Sequence, residues 1–134
     1  MQDFRKLRVW RKAHILALRV RPATRTFPRT GYSTLKSQMT TAAESIAFNI
    51  VEGCGTDSQK EFARFLEISI KSTSELEYQL QLATDYGVLA PPQSAKLTKR
   101  TVDVRRMLCG LRKKVLGEDD DFVEQDDIKV DVRM

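Results

Sequence analysis

Apolar side chains recur along the chain at intervals of three and four residues, and short stretches rich in Gly and Pro interrupt this pattern. Such spacing is typical of amphipathic helices. It predicts four of them, running from about Phe4 to Phe27, from about Ser33 to Glu52, from about Ser58 to Gly87, and from after Pro91-Pro92 to Gly117. Long helices with short connections pack antiparallel to their neighbours. We therefore predict an all-α fold, an antiparallel up-and-down four-helix bundle.

Two local signals bear on the helix boundaries. Ser58 is followed three residues later by Glu61, which matches a capping box at the start of the third helix. Pro22 falls inside the first helix, where it has no N–H to donate to the Leu18 carbonyl and costs about 3 kcal/mol in a helix interior. We expect the first helix to bend between Leu18 and Pro22.

The 134 residues are enough for a single domain. We assign residues 1–116 to the four-helix bundle and residues 117–134 to an acidic tail, for which we expect disorder because it is acidic and lacks helical periodicity. A short strand or a docked segment is the alternative, since five apolar residues alternate loosely with charge in the tail: Phe122, Val123, Ile128, Val130 and Val132.

Two kinds of apolar segment are missing from the sequence. No run approaches the 18 apolar residues typical of a membrane-spanning helix, and no apolar signal region follows the charged start of the chain. We expect a cytoplasmic protein that does not bind membranes.

Charge is distributed very unevenly along the chain. Residues 1–29 carry nine basic and one acidic side chain, residues 30–95 carry four and eight, and residues 96–116 carry eight and one. The acidic tail holds eight acidic and two basic side chains. The basic character therefore belongs to the first and fourth helices.

The basic residues of these two helices form stripes. Arg5, Arg8, Lys12 and Arg19 share one narrow stripe, and Lys99, Arg106 and Lys113 repeat every seven residues. The first and last helices of a bundle can be adjacent, which would merge the stripes into one surface able to neutralise phosphates. These seven residues are our candidate nucleic-acid contacts.

Other interpretations of this basic surface remain open. It could be an ordinary solvated face, or it could bind an acidic protein. The acidic tail could also fold back onto it as an autoinhibitory competitor.

Apolar residues outside the expected core stripes suggest assembly. The first helix is apolar on two sides, one of them marked by Phe4, Leu7 and Leu18, and a single bundle core does not easily cover both. Because large apolar patches mark interfaces, we predict a homo-oligomer, with a wider intramolecular core as the alternative. The predicted interface residues are Val9, Leu16, Val20, Phe48, Ile68 and Leu82.

The residue types that carry catalysis are sparse. His14 is the single histidine, so the Glu-x-x-His pairs of a di-metal bundle site cannot form, and we expect it to be a packed or interfacial residue. Cys54 and Cys109 form no Cys-x-x-Cys pair. We predict no catalytic residues, no metal site and no cofactor.

Several segments resemble a known family. They are Phe4 to His14, Phe27-Pro28, Ser45 to Gly53, Lys60 to Leu66 and Ser74 to Glu77. In this order, over about residues 4–116, they resemble bacterial four-helix bundle proteins encoded in intervening sequences of 23S ribosomal RNA. The resemblance implies a closed bundle that assembles as a ring, with a pentamer expected. It also implies an association with ribosomal RNA genes, and a related bundle protein partners a reverse transcriptase.

The resemblance also assigns a structural role to four positions around the turn between the second and third helices: Asn49, Glu52, Gly53 and Arg64. Pro22 and the acidic tail depart from the family pattern. Together, these observations predict a non-enzymatic homo-oligomer that binds RNA through the first and fourth helices. The alternative is an oligomeric scaffold for a protein partner such as a reverse transcriptase.

Overall fold

The computed structural model describes residues 2–118 and contains four α-helices after one short 3-10 helix. The elements are the 3-10 helix Phe4–Lys6 and the α-helices α1 (Arg8–Thr24), α2 (Ser33–Cys54), α3 (Gln59–Asp85) and α4 (Pro91–Leu116). Residues 2–118 contain no strand, so the predicted all-α class is confirmed. The predictions of disorder, a strand or a docked segment beyond Glu118 lie outside the described residues.

Each helix packs against two others, α1 against α2 and α4, and α3 against α2 and α4. Neighbouring helices run in opposite directions, because residues later in one helix contact residues earlier in its neighbour. The contacts that show this are Gln2 to Cys54, Arg21 to Glu44, Ser45 to Ser72, Gly53 to Phe62, Arg105 to Glu77 and Arg112 to Glu67. The bundle is therefore antiparallel.

The ends of α3 and α4 follow from their capping residues. The Ser58 hydroxyl accepts a hydrogen bond from the Glu61 backbone N–H at 3.2 Å, as the capping box predicts. The Glu61 carboxylate instead accepts from Arg64 at 3.0 Å. At the end of α4, Gly117 adopts a left-handed conformation with φ +71° that glycine takes without strain.

The start and end of α1 differ from the predicted helix. Leu7 has an extended backbone with φ −87° and ψ 125°, so Phe4–Lys6 is a separate 3-10 helix, and α1 ends at Thr24 rather than near Phe27. Pro22 lies in the last turn of α1, so the missing hydrogen bond affects only the end of the helix. The bend near Leu18 remains a prediction.

The apolar core includes the predicted stripe of α2 and corrects the prediction for α1. Val9, Leu16 and Val20 are buried in the core of the single chain, whereas Leu18 is 60% exposed. Three of the six predicted interface residues therefore have no surface to offer a second copy, and that part of the prediction is wrong. On α2, the predicted core residues are all buried: Leu35, Met39, Ala42, Ala43, Ile46 and Ile50.

Candidate nucleic-acid interface

A groove of about 960 Å³ runs between the second half of α1 and the first half of α4. We call it the basic groove, because four cationic side chains line it: Arg19, Lys96, Lys99 and Arg100. Antiparallel packing places the end of α1 beside the start of α4. Arg19 and Lys99, predicted from separate stripes, therefore line the same groove.

The helical repeat determines which cations face this groove. On α1, Arg8, Lys12 and Arg19 lie within about 40° of one another at 100° per residue. On α4, Lys96 and Arg100 are four residues apart and share one face, while Lys99 lies about 60° from Lys96. The sequence prediction missed Lys96 and Arg100 because it followed the seven-residue row of Lys99, whereas the groove is also lined by the neighbouring flank of α4.

Negative charge in the basic groove is limited to one group. Among the described residues that line it, Asp103 is the single carboxylate, and its Oδ2 lies 3.6 Å from Lys99 Nζ. Lys99 is 79% exposed, and an ion pair between exposed groups contributes at most about 1 kcal/mol. Four cations against one carboxylate leave the groove with an excess of positive charge.

The other predicted contacts lie elsewhere along the two helices. Arg5 is at the start of the chain, where its guanidinium approaches Asp3 at 3.6 Å and covers the Phe4 ring at 4.4 Å. Arg8 is exposed, and Lys12 is half-buried. None of these three lines the basic groove as the structure describes it.

Arg106 and Lys113 continue the predicted row of α4 beyond the basic groove. Both are half-buried, and Arg106 buries its Nε atom without a hydrogen-bond partner among residues 2–118. The structure thus brings together two of the seven predicted residues and distributes the other five over the 3-10 helix and the rest of α1 and α4.

Cations on the opposite side of α4 have a structural role. Arg105 Nε lies 2.7 Å from Glu77 Oε2, with about a quarter of each side chain exposed, and Arg112 lies 3.6 Å from Glu67. Both pairs connect α4 to α3. These charges are compensated across that contact, whereas Lys96, Lys99 and Arg100 line the basic groove beside α1.

A second groove, of about 540 Å³, lies between α1 and α2 on the other side of α1. We call it the apolar groove. Phe48, 66% exposed, is its most prominent member, and Trp10 contributes an indole that stacks on the His14 ring at 5.0 Å between centroids. The apolar groove is also lined by Phe4, Ala17, Leu18, Pro22, Ala47 and Val51, with Arg21, Arg25 and Glu44 at its polar parts.

The remaining predicted interface residues lie outside the apolar groove. Ile68 and Leu82 are half-buried on α3, and Leu82 packs against the core. Phe48 is thus the single predicted interface residue that lines the apolar groove among the residues described.

Gly53 allows close packing between the end of α2 and the start of α3. A Cβ atom at this position would lie 2.7 Å from Phe62 Cδ1 and 3.2 Å from Phe65 Cβ, closer than real Cβ atoms normally approach. Arg64, on the exposed face of α3, pairs with Glu61 at 3.0 Å and covers the Phe65 ring at 4.8 Å. Close packing against Phe62 and Phe65 therefore explains why position 53 is a glycine.

Asn49 and Glu52 occupy different environments near the same turn. The Asn49 side-chain amide donates to the Ser45 carbonyl at 2.8 Å, and the Ser45 hydroxyl lies 2.9 Å from the Ser72 hydroxyl of α3. Glu52 is exposed. Asn49 thus positions a hydroxyl pair that joins α2 to α3.

Both cysteines have raised thiol pKa values. Burial raises the pKa of Cys54, which is inside the core, and burial also raises the pKa of the half-buried Cys109. Near Cys109, the positive charges of Arg105, Lys113 and Arg112 oppose this rise in pKa. Neither environment favours the thiolate that thiol chemistry requires.

Residues 2–118 contain neither a metal-binding cluster nor a membrane-spanning helix. No cluster of three or more His, Cys, Asp and Glu side chains is arranged to hold a metal ion. No helix in this part of the chain is long and apolar enough to span a membrane.

The fold and its surfaces define an all-α bundle protein with a cationic groove on one side of its first helix and an apolar groove on the other. The sequence profile of the 23S rRNA-intervening sequence proteins matches residues 5–110. The chain belongs to this family.

A solved structure supports the fold. It is a protein of unknown function from the S23 ribosomal protein family of Bacteroides thetaiotaomicron, which matches with a TM-score of 0.74 and 21% sequence identity over 78% of this chain and 98% of that chain. At this identity, the likeness shows the fold alone. Among curated proteins, no significant match is found.

Proposed function

We propose that this chain is a non-enzymatic RNA-binding protein that acts as a homo-oligomer and holds the RNA backbone in the basic groove. The observation that carries this proposal is the presence of four cations and one carboxylate in a groove between two adjacent helices. Phosphate contacts supply most of the affinity in binding that does not depend on sequence. RNA is preferred over DNA because the family description refers to ribosomal RNA.

The number of cations sets the expected salt dependence. If all four groove cations contact phosphates of a single strand, log K falls with log salt concentration with a slope of about −3 per subunit. Side chains that contact only phosphates position the RNA and carry no sequence information. We therefore expect binding that is sensitive to salt and weakly dependent on sequence.

Assembly is the second part of the proposal, and the apolar groove supports it. An exposed apolar surface that includes Phe48, Leu18 and Trp10 is typical of an interface. A ring, for which the family resemblance suggests five subunits, would present several basic grooves to one RNA and raise the overall affinity through multivalency.

The RNA-binding proposal is tested by reversing charge inside and outside the basic groove. We expect Lys99→Glu/Arg100→Glu to weaken binding of a fluorescein-labelled single-stranded RNA roughly tenfold or more in low salt, measured by fluorescence anisotropy, and to reduce the salt slope by about one to two. The control is Lys60→Glu/Lys71→Glu on the exposed surface of α3, which changes the net charge equally.

Two results would contradict this proposal. One is equal loss of affinity in the groove variant and the control, which would show that net charge alone matters. The other is the absence of RNA binding by the unmodified chain and the tail-neutralised variant described below, both at low salt. Thermal unfolding of each variant checks that the bundle is intact.

Assembly is tested by placing a charge in the apolar groove. We expect Phe48→Asp to convert the oligomer to a monomer in light scattering after size exclusion, because the charge would lose its water in the interface. Tyr78→Asp is the matched control, since Tyr78 is 64% exposed on α3 and lies outside the apolar groove. An unmodified chain that is monomeric at micromolar concentration would refute the assembly proposal.

The apolar groove also favours a second candidate function, a scaffold that binds a protein partner such as a reverse transcriptase. In that case the partner, rather than another copy of the chain, would cover Phe48. A monomer that fails to bind RNA and loses a protein partner on Phe48→Asp would support the scaffold over the RNA-binding oligomer.

A further inference from the structure

We propose that the acidic tail binds along the basic groove of its own bundle and competes there with RNA. The competition rests on the proposed function, whereas the intramolecular docking can be measured without any RNA. The tail thus acts as a regulator of the site formed by α1 and α4.

Charge complementarity selects the surface on which the acidic tail binds. The tail carries eight acidic and two basic side chains, and the strongly basic segments of the bundle are residues 1–29 and 96–116. Residues 30–95, which form α2 and α3, carry eight acidic and four basic side chains and would repel it. The α1/α4 side is therefore the surface that attracts the tail.

The end of α4 directs the chain out of the helix. The Glu118 backbone N–H donates to the Lys113 carbonyl at 2.9 Å, and that of Gly117 donates to the Lys114 carbonyl at 3.1 Å. With the left-handed Gly117, these bonds form a Schellman motif, which ends the helix and changes the direction of the chain. The tail thus leaves α4 beside its basic C-terminal turn.

The length of the tail is sufficient to reach the basic groove. Lys99 lies 18 residues before Gly117 on α4, which corresponds to roughly 27 Å along the helix at 1.5 Å per residue. An extended chain covers this distance in about eight or nine residues at 3.3 Å per residue. Residues 119–127 contain six acidic side chains, so these charges can lie alongside the cations of α4.

The tether makes a weak contact effective. A short tether gives an effective concentration on the order of 1 mM. At this effective concentration, a docked state about ten times more populated than the undocked state requires a dissociation constant of about 0.1 mM for the untethered tail. RNA affinity would then fall about tenfold relative to a chain whose tail cannot compete.

Docking is tested without RNA in the full chain by zero-length carbodiimide cross-linking, which couples carboxylates to amines in contact. We expect mass spectrometry to find links from residues 119–127 to Lys96 and Lys99, lost at high salt. Links to Lys113 or Lys114 do not count, because these residues adjoin the tail in the sequence. Lys60 and Lys71 on α3 are internal controls and should form no links.

The same docking must occur within one chain. Cross-linking an equal mixture of ¹⁵N-labelled and unlabelled protein distinguishes links within a chain from links between copies. Cross-links that join a labelled segment to an unlabelled one as often as they join two segments with the same label would show that the contact lies between copies, and would overturn the intramolecular contact. The absence of salt-sensitive links to Lys96 and Lys99 would overturn it as well.

Competition is tested with a full-length variant whose tail charges are neutralised. The variant carries Asp119→Asn, Asp120→Asn, Asp121→Asn, Glu124→Gln, Asp126→Asn and Asp127→Asn. We expect about tenfold tighter RNA binding at low salt than in the unmodified chain. Unchanged RNA affinity would overturn the competition.

The two proposals fail in different ways. Salt-sensitive cross-links without RNA binding by either chain would uphold the docking and overturn both the RNA-binding function and the competition. Equal RNA binding by both chains without these cross-links would uphold the RNA-binding function and overturn the tail contact.

Discussion

The contact between α2 and α3 and the contact between α1 and α4 are built in opposite ways. The contact between α2 and α3 is tightly packed through small residues and hydroxyl groups. Gly53 approaches Phe62, and the Ser69 hydroxyl donates to the Ile46 carbonyl at 2.7 Å. The second leaves a groove of about 960 Å³ lined by cations. The first contact is closed by packing, and the second leaves open the groove in which we propose that RNA binds.

The largest expected effect is on stability and concerns the two sides of α1. We expect Leu16→Ala to lower the free energy of unfolding by about 2–5 kcal/mol, because it leaves a cavity in the core, and Leu18→Ala to change it by less than about 0.5 kcal/mol. Urea denaturation measures both in the Phe48→Asp background, which removes any contribution from assembly. Similar losses for both variants would show that the face of α1 has been wrongly assigned.

The next effect tests the closed contact between α2 and α3. Gly53→Ala should lower the free energy of unfolding by about 1–2 kcal/mol, because the added Cβ clashes with Phe62 and outweighs the gain in helix propensity. Gly55→Ala is the matched control, since the nearest atom to its Cβ would be the Glu52 carbonyl oxygen at 3.5 Å. If both variants unfold at the same denaturant concentration, the contact at Gly53 is not a tight one.

The smallest effect compares thiols in the two regions. Cys109 on α4 should react faster than Cys54 at the end of α2, because Cys54 is more deeply buried. Burial raises both pKa values, so raising the pH from 7 to 9 should increase both rates continuously as the thiolate fraction grows. Absorbance with an aromatic disulfide reagent measures these rates, with the urea-unfolded chain as the fast reference. A rate that levels off below pH 8 would contradict a raised pKa.

Much of the fold could be predicted from local patterns. The apolar stripe of α2, the cap at Ser58 and the glycine after α4 act within a few residues, so a single segment of sequence was sufficient to identify them. The helix boundaries of α2 agreed with prediction to within two residues at its C-terminal end. The likeness to the solved bundle supports the same architecture.

The face of α1 could not be predicted in the same way. Its two apolar sides have similar residue types, and the break at Leu7 removes Phe4 and Leu7 from the helix, so they do not define a stripe together with Leu18. Which side is buried depends on packing against α2 and α4. The buried side of α1 is therefore set by tertiary contacts, which the periodicity of a single segment does not reveal.

The candidate site was predicted in part for a related reason. The stripes included Arg19 and Lys99, which line the basic groove, but not Lys96 and Arg100, whose position depends on which flank of α4 meets α1. The seven-residue spacing of Lys99, Arg106 and Lys113 was the more regular pattern in the sequence. Lys96 and Arg100 can be recognised as groove residues only from the packing of α4 beside α1.

Leu18 and Pro22 line both grooves and so form a common wall between them. An occupant that shifts this wall from one side changes the fit on the other side. Thermodynamic linkage requires any such coupling to be reciprocal, so in the proposed RNA-binding oligomer the free energy by which assembly alters RNA affinity would equal that by which RNA alters assembly. A rise in protein concentration would then shift RNA binding in the same direction in which RNA shifts assembly.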